Sequence, residues 1–240
     1  MNDPDLVARQ YADEQGLAAR RRVWDEFRDG PSSDDWTFDA VIEAAPRHLL
    51  EVGCGWGGLA ERVARDTGAD VVACDLSPRM VELARGRGVR AFVGSAGALP
   101  FPDASFDVVL ANAMLYHLPH LGRGLAELAR VLTDEGRLIA TTFGQGHLRE
   151  VWELVGEPQA NLSFGVENGE EELRQYFRDI EMRHDDATVT FPNAEEARTY
   201  VASSITRSSY ADVMPTFEGA LVAHSDFAVF VARRPRRPVR

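Results

Sequence analysis

The chain has 240 residues and a formal net charge of −12, and all 26 of its Lys/Arg side chains are arginine. The lack of lysine excludes a pyridoxal phosphate Schiff base, a lysine general base and a P-loop lysine. The acidic balance disfavours nucleic acid as the main partner. With 45% hydrophobic and 27% charged residues, the composition suits one α/β domain with a sizeable core.

Signals for export, membranes or metals are missing from the sequence. No window approaches the roughly 18 to 20 apolar residues of a membrane span, and the first residues, MNDPD, lack the basic and apolar regions of a signal peptide. Cys54 and Cys74 form neither a disulfide framework nor a metal-ligand spacing. We therefore expect a cytoplasmic protein with reduced thiols, no metal and no membrane contact, as a monomer or homodimer.

Strand and helix patterns alternate in the middle of the chain. Residues 6–45, which precede this alternation, have the apolar spacing of helices. The pattern is interrupted at 29–31 by Asp-Gly-Pro, and a second short helix is predicted over 36–45. The Ser77-Pro78 pair marks a further helix start. Five apolar runs predict the strands of a doubly wound parallel sheet, at 48–52, 71–74, 90–93, 106–110 and 136–143, with a helix over 121–132 before the last.

The pattern is less regular after the fifth strand. Helices are predicted over 147–155 and 169–177, a strand is expected to end at Phe191, and Asn193 has the position of a helix N-cap. Residues 227–232 form a strong β run. Five of the last eight residues are arginine, and we expect this basic tail to be a frayed, solvated terminus.

A glycine-rich loop follows the first predicted strand. Residues 53–58 read GCGWGG and satisfy G-x-G-x-x-G, in which glycine lets the backbone turn tightly and approach a ligand. Asp75 lies twenty residues beyond Gly55, at the end of the second strand, where it could accept hydrogen bonds from both hydroxyls of a ribose. The glycine loop and Asp75 together are compatible with two kinds of ligand, a dinucleotide such as NAD or another adenosine compound.

The loop and its surroundings resemble one enzyme family. Residues 51–57, EVGCGWG, resemble motif I of the class I S-adenosylmethionine-dependent methyltransferases. Further segments resemble this family's motifs in the same order: CDLSPRM at 74–80, GSAGALPF at 94–101, SFDVV at 105–109, YHL at 116–118 and GRLIA at 136–140. The resemblance covers about residues 45–143 and is closest to the small-molecule branch that includes quinone-biosynthesis enzymes.

This resemblance implies an α/β fold. We expect a doubly wound, Rossmann-like sheet of seven mostly parallel strands, with an N-terminal and an inserted helical cap. A single methyltransferase domain over 1–240 would then have four parts, which are an N-terminal helical cap at 1–45, a cofactor-binding core at 46–143, cap helices and C-terminal strands at 144–232, and the basic tail at 233–240.

The resemblance also implies how S-adenosylmethionine would sit on the core. Gly53 and Gly55 would hold its methionine portion through their backbone. Glu51 would lie behind them and face the cationic ligand, and Asp75 would bind the ribose hydroxyls. The roles of the two acids are also suggested by their charge and their positions in the sequence.

Five further residues are implied around the adenine and the amino group. Leu76 and Met80 would pack on the adenine. Ser95 stands where the family usually has an acid for the adenine amino group, so adenine recognition would depend more on the backbone of Ala96. Asn112, at the end of the fourth strand, would lie near the methionine amino group.

Three residues near the carboxyl edge of the predicted sheet are candidates for catalysis: His117, Tyr11 and His147. His117 would suit a general base or a cofactor-side hydrogen bond, although a histidine in such an apolar setting is more often a packed structural residue. Arginine is the only permanent cation available to anchor an anionic acceptor, which makes Arg149, just after the fifth strand, the arginine to test, although a surface position is the more usual one for such a residue.

The predicted function is transfer of a methyl group to an oxygen, nitrogen or carbon atom of a small organic acceptor, an aromatic compound or a specialised metabolite. Methyl transfer needs no lysine, whereas the commonest short-chain dehydrogenase chemistry needs a Tyr-x-x-x-Lys pair. Two alternatives stay open, an NAD-dependent oxidoreductase and a non-catalytic cofactor-binding member of the fold. RNA methylation through the basic tail is a weaker one.

Overall fold

A seven-stranded sheet forms the centre of the computed structural model, which describes residues 15–157, 161–185, 187–204 and 207–237. Its strands are β1 His48–Val52, β2 Asp70–Asp75, β3 Arg90–Val93, β4 Phe106–Ala111, β5 Leu132–Phe143, β6 Phe177–Asp185 and β9 Phe227–Pro235. Their spatial order is β3-β2-β1-β4-β5-β9-β6. The first five pair in parallel, and β9 pairs antiparallel with both β5 and β6. The predicted doubly wound, mostly parallel sheet is confirmed.

Helices cover both faces of this sheet, because parallel strands are apolar on both sides. They are α1 Gln15–Glu26, α2 Ser33–Ala44, α3 Gly58–Thr67, α4 Pro78–Gly86, α5 Leu121–Val131, α6 Arg149–Leu154, α7 Gly169–Arg174 and α8 Ala194–Ala202, with short 3-10 turns at Leu115–His117 and Ser208–Val213. One apolar core lies on each face. Within the described ranges, no helix has the length and apolar character needed to cross a membrane.

Side-chain caps define several helix starts. The N-caps predicted at Ser77 and Asn193 are present, each accepting a backbone N–H of the first turn. Helix α2 begins earlier than the predicted residue 36, because Ser32 and Asp35 form a capping box in which each side chain accepts the other's backbone N–H.

Of two predictions for the second half of the chain, one is wrong in detail and the other is confirmed. The helix predicted over 169–177 ends at Arg174, because Phe177 is fully buried and starts β6, paired with Pro235. The strand expected to end at Phe191 is present as β7 Thr188–Phe191. It pairs with β8 Leu221–His224 in a separate two-stranded sheet that we did not predict.

The basic tail is not frayed over its described residues. Strand β9 continues to Pro235, and within it Arg233 pairs with Glu181 and Arg234 with Asp179 on the neighbouring strand. Arg237 donates to the backbone carbonyl of Leu132 at 2.6 Å. These arginines neutralise local carboxylates and satisfy main-chain acceptors, so they hold the C-terminal strand against the sheet.

A third apolar cluster lies above the carboxyl edge of the sheet, and we call the elements that form it the cap. The cap consists of α1, α6, α8 and the β7–β8 hairpin, with the 3-10 turn Ser208–Val213. Val23, Trp152, Phe191 and Tyr200 meet in its centre. Segments far apart in the sequence therefore cooperate to cover one end of the sheet.

Candidate functional site

A cavity of about 550 Å³ lies between the cap and the carboxyl ends of β1, β2, β4 and β5. Crevices at this edge of an open parallel sheet are where ligands bind in doubly wound folds. Most of the predicted site residues line it, namely Glu51, Gly53, Gly55, Asp75, Leu76, Ser95, Ala96, Asn112, His117 and His147. Tyr11 lies outside the described residues.

The loop after β1 forms one end of this cavity, which we call the glycine end. Gly53 has a φ of +73°, and a Cβ placed there would lie 2.8 Å from the Cβ of Met114. A Cβ on Gly57 would lie 2.7 Å from the Cβ of Ala84, so this glycine allows close packing against α4. The loop thus requires glycine both for its conformation and for close packing against its neighbours.

Asp75 links this loop to the end of β2. Its Oδ2 accepts the N–H of Gly55 and its Oδ1 accepts the N–H of Ser77, both at 2.9 Å. Burial raises the pKa of the carboxyl group, while these backbone donors oppose that shift. The backbone of Leu76 also donates to this carboxylate, which has about four acceptor positions in all, so Asp75 retains acceptor capacity for a ligand such as a ribose.

Glu51 is a buried acid beneath the loop. It is 2% exposed, and in the described part of the chain its Oε2 has no hydrogen-bond partner. Burial is the main reason that its pKa rises to about 8, and the negative charges of Asp34 and Asp75 raise it further, against a hydrogen bond from the backbone of Ala60. A buried, unsatisfied carboxyl oxygen between two other acids fits a cationic ligand.

Asp34 belongs to this acidic group, although the sequence did not identify it. Its Oδ1 accepts a hydrogen bond from the amide of Asn112 at 3.1 Å, and its Oδ2 pairs with Arg21 at 2.8 Å. The hydroxyl of Thr141 donates to the other side of the Asn112 amide at 2.5 Å. Asn112 therefore faces the cavity in a fixed orientation, and α2 is bound to the end of β4.

The residues expected around an adenine divide into two groups. Leu76, directly after the carboxyl end of β2, is 48% exposed, and Ser95 and Ala96 line the same part of the cavity. Met80, by contrast, is fully buried in α4 and is not among the residues that line the cavity. The predicted contact of Met80 with adenine is therefore wrong, because its side chain is fully buried and does not reach the cavity.

The opposite end of the cavity, which we call the aromatic end, lies under the cap. Trp24, Phe143, His147, Trp152 and Tyr200 form its walls. The ring of His147 lies 4.2 Å from the Phe143 ring and 5.1 Å from the Trp24 ring, measured between centroids. This end is suited to a planar, largely apolar ligand.

His147 does not have the properties of the base that we predicted. Its Nδ1 accepts the backbone N–H of Asp226 at 3.2 Å, so in the neutral ring the proton is on Nε2. Burial lowers its pKa to about 3, and the nearby charges of Arg28 and Arg207 act in the same direction. His147 is thus a neutral hydrogen-bond donor at pH 7 and not a proton acceptor.

The other catalytic candidates have different outcomes. His117 ends the 3-10 turn after β4 and lines the cavity, with its ring 4.5 Å from the ring of Tyr116, and its role as a base stays a prediction. Arg149, the arginine singled out for testing, has the surface position and cannot anchor an acceptor in this cavity. Its side chain is 51% exposed and lies 3.6 Å from Glu153 on the surface of α6, outside the cavity lining.

The arginines that do line the cavity include Arg20 and Arg207. Neither belongs to a recognisable motif, and both come from cap elements remote from the core in sequence. Their only sequence signal was their proximity to predicted cap helices, which many other arginines share.

Comparison with known proteins supports the interpretation of the glycine end. Residues 50–140 match a family model described as methyltransferase domain. A demethylmenaquinone methyltransferase of Tropheryma whipplei (strain Twist) is 41% identical over 103 residues, which are 41% of this chain and 43% of that protein. A malonyl-(acyl-carrier protein) O-methyltransferase of Halorhodospira halophila is 31% identical over 169 residues, 65% of this chain and 56% of that protein. The chain thus spans about half the length of these relatives.

Solved structures extend the similarity of fold to nearly the whole chain. The 4+2 cyclase SpnF has a TM-score of 0.62 at 21% identity, with 96% of both chains covered. A methyltransferase of Thermotoga maritima, described as a possible histamine N-methyltransferase, has a TM-score of 0.60 at 21% identity and covers 94% of this chain and 99% of its own. S-adenosylmethionine is the cofactor that fits the acidic, glycine-rich end of the cavity. The ordered motifs, the fold and these relatives show that residues 50–140 of this chain form a methyltransferase domain similar to those of the class I S-adenosylmethionine-dependent enzymes.

Proposed function

We propose that the protein methylates a small aromatic acceptor that binds under the cap. The observation that carries this proposal is that one continuous cavity joins the acidic glycine end to the aromatic end. The two substrates of a methyl transfer must lie side by side with their reacting atoms in line. A single cavity with two chemically different ends meets that requirement.

The residues of the glycine end would hold the cofactor. Glu51 would attract the positive charge of its methionine portion, and Asp75 would accept the two ribose hydroxyls. Leu76 would pack on the adenine, with Ser95 and Ala96 at its edge. When bound, S-adenosylmethionine supplies a methyl group on a sulfonium, and the acceptor's lone pair forms the new bond to carbon as the C–S electron pair moves to sulfur.

The residues of the aromatic end would orient the acceptor and exclude water. Trp24, Phe143 and Trp152 provide flat apolar walls, which desolvate the nucleophile and limit its orientations. His117 would take a proton only for an acceptor that must lose one. The chain therefore contributes mainly binding and orientation to the reaction.

Calorimetry with S-adenosylmethionine and S-adenosylhomocysteine is the first test, and we expect both to bind at micromolar concentrations. Incubation with methyl-labelled cofactor and a panel of phenols, aromatic amines and aromatic acids should then transfer label to at least one acceptor. Binding of neither cofactor form would exclude the proposal. Binding without labelled product from any compound of this panel would overturn the proposal of an aromatic acceptor.

A further inference from the structure

The two ends of the cavity differ in charge as well as in polarity. Asp34 and Asp75 make the glycine end negative, and the buried carboxyl group of Glu51 can ionise there when a cationic cofactor binds. The arginines of the aromatic end, Arg20 and Arg207, make that end positive. Two guanidinium groups beside aromatic walls point to a ligand group that an uncharged wall would not hold.

Arg207 presents its guanidinium group to the cavity. The group lies 4.3 Å from the centroid of the Trp152 ring, and its side chain is only 17% exposed. Its Nε is 3.6 Å from Oε1 of Glu157, which is longer than a hydrogen bond. Glu157 also accepts a hydrogen bond from the hydroxyl of Tyr210. The guanidinium group of Arg207 therefore lies over the Trp152 ring, while its donors are only partly engaged by Glu157.

Arg20 lies on the other side of the same region. Its Nη1 donates to the backbone carbonyl of Ser203 at 2.7 Å, which fixes the guanidinium group at the end of α8. Burial raises the pKa of Tyr200, whereas the charges of Arg20 and Arg207 both act to lower it. Both guanidinium groups are thus close enough to the Tyr200 ring to influence it, and they flank one portion of the cavity.

His147 adds a neutral donor to these two cations. Because its Nδ1 is occupied by the N–H of Asp226, the N–H on Nε2 is the polar atom that it can offer to a ligand. Its ring is held between Trp24 and Phe143, so its orientation is restricted. The aromatic end consequently combines N–H donors with two positive charges, the chemistry that recognises an anionic oxygen group.

We propose that the acceptor is an aromatic carboxylate whose carboxylate group binds the guanidinium group of Arg207, with Arg20 as a second cation and the His147 N–H as an additional donor. A carboxylate matches the planar fork of arginine and can be attached directly to an aromatic ring. Glu157 offsets part of the Arg207 charge, which favours a singly charged group over a phosphate dianion. This inference rests on the proposed function and narrows the class of acceptor.

The test compares two ligands that differ only in charge. The full chain, saturated with S-adenosylhomocysteine, is titrated calorimetrically with 1-naphthoate and with 1-naphthamide. We expect naphthoate to bind at least about tenfold more tightly than the amide, the preference that one charged pair supplies. In Arg207→Gln this preference should fall to about twofold or less, while the affinity for S-adenosylhomocysteine stays unchanged and reports a folded protein. Arg149→Gln, which removes an arginine outside the cavity, should retain the preference.

Two results would overturn the proposal. One is equal affinity of the wild-type protein for the two ligands, or no binding of naphthoate up to about 10 mM, which is weaker than any specific subsite. The other is an unchanged preference in Arg207→Gln. Failure of S-adenosylhomocysteine to bind would instead reject the proposed function, and the same comparison on the protein alone would still decide whether the subsite exists.

Discussion

The two ends of the cavity are built in different ways. The glycine end is formed by short segments that directly follow β1, β2 and β3, so its residues are determined by local turns and by strand ends that necessarily adjoin. The aromatic end is formed by α1, the loop after β5, α6 and α8, which meet only through the packing of the cap. One end can therefore stay constant while the other changes with the acceptor.

The two ends also respond to pH in opposite directions. Between about pH 4.5 and 8, Glu51 holds a proton in the folded protein that the unfolded chain has already released, so its contribution to the free energy of unfolding falls as pH rises. Between about pH 6.5 and 3, His147 stays neutral in the folded protein while the unfolded chain binds a proton, so its contribution falls as pH falls. Variants at each end can therefore test this difference separately.

Asp75→Ala should have the largest effect, and it should be confined to the glycine end. The variant loses the acceptor of two ribose hydroxyls and the link between Gly55 and Ser77. We expect affinity for S-adenosylhomocysteine to fall by at least about a hundredfold, measured by calorimetry. Asp70→Ala, at the exposed opposite end of the same strand, is the matched control and should bind normally. Normal binding by the Asp75 variant would mean that this acid only caps the turn.

Glu51→Gln should separate binding from stability. Removing the buried ionisable group should raise the free energy of unfolding at pH 8 by about 2 kcal/mol and leave it nearly unchanged at pH 5, as measured by urea denaturation. The facing acids, Asp34 and Asp75, remain and still repel any negative charge at this site. Cofactor affinity should fall about tenfold at pH 7.5, because a neutral amide attracts a cation less strongly. If the free energy of unfolding at pH 8 is the same for the variant and the wild-type protein, the pKa of Glu51 lies well below 8.

His147→Phe should weaken the aromatic end by a smaller amount. Phenylalanine preserves the stacking between Trp24 and Phe143 but removes the N–H donor, so the affinity for 1-naphthoate should fall about fivefold. The variant should also lose less stability than the wild-type protein on acidification from pH 6.5 to 4, although Arg28, Arg207 and Asp226 still face this position.

The pH profile of kcat/KM for His147→Phe distinguishes a donor from a base. With a pKa of about 3, His147 does not titrate between pH 5 and 9, so the profile should keep its wild-type shape over that range. Loss of an acidic limb near pH 6 in the variant would identify His147 as the general base after all.

Ser95→Asp should have the smallest effect, and in the favourable direction. Ser95 is exposed at the glycine end and its hydroxyl accepts the N–H of Gly97 at 3.2 Å. An aspartate there would place a stronger acceptor at the edge of the adenine, as the family usually has, and should tighten S-adenosylhomocysteine binding about threefold. Weaker binding would indicate that the adenine lies elsewhere in the cavity.

The sequence predicted the glycine end well because its signals are local. The glycine loop and Asp75 follow two neighbouring parallel strands, so they must lie close together. In the structure, the N–H of Gly55 donates a hydrogen bond to Asp75. Met80 was placed wrongly for a local reason too. It lies one turn into α4, and which face of that helix meets the core depends on packing that the motif does not contain.

The aromatic end could not be predicted in the same way. Arg149 follows the fifth strand and was the obvious choice near the sheet edge, but α6 directs it to solvent. Arg207 comes from a turn more than fifty residues later and reaches the cavity only because α8 packs on α1. His147 was identified correctly as a cavity residue, but its role depends on Asp226, which follows β8 on a distant part of the chain.

The pairing of β6 with β9 also bears on how this cap arose. Asp185 and Phe227 are register partners at the ends of these antiparallel strands, so the chain leaves the sheet and returns to it at one point. Everything between them, including the β7–β8 hairpin and α8, is a cassette inserted into a hairpin. Such a cassette can be lengthened, shortened or exchanged without altering a strand of the core, so the part of the aromatic end that contains Tyr200 and Arg207 can evolve by replacement of one contiguous piece.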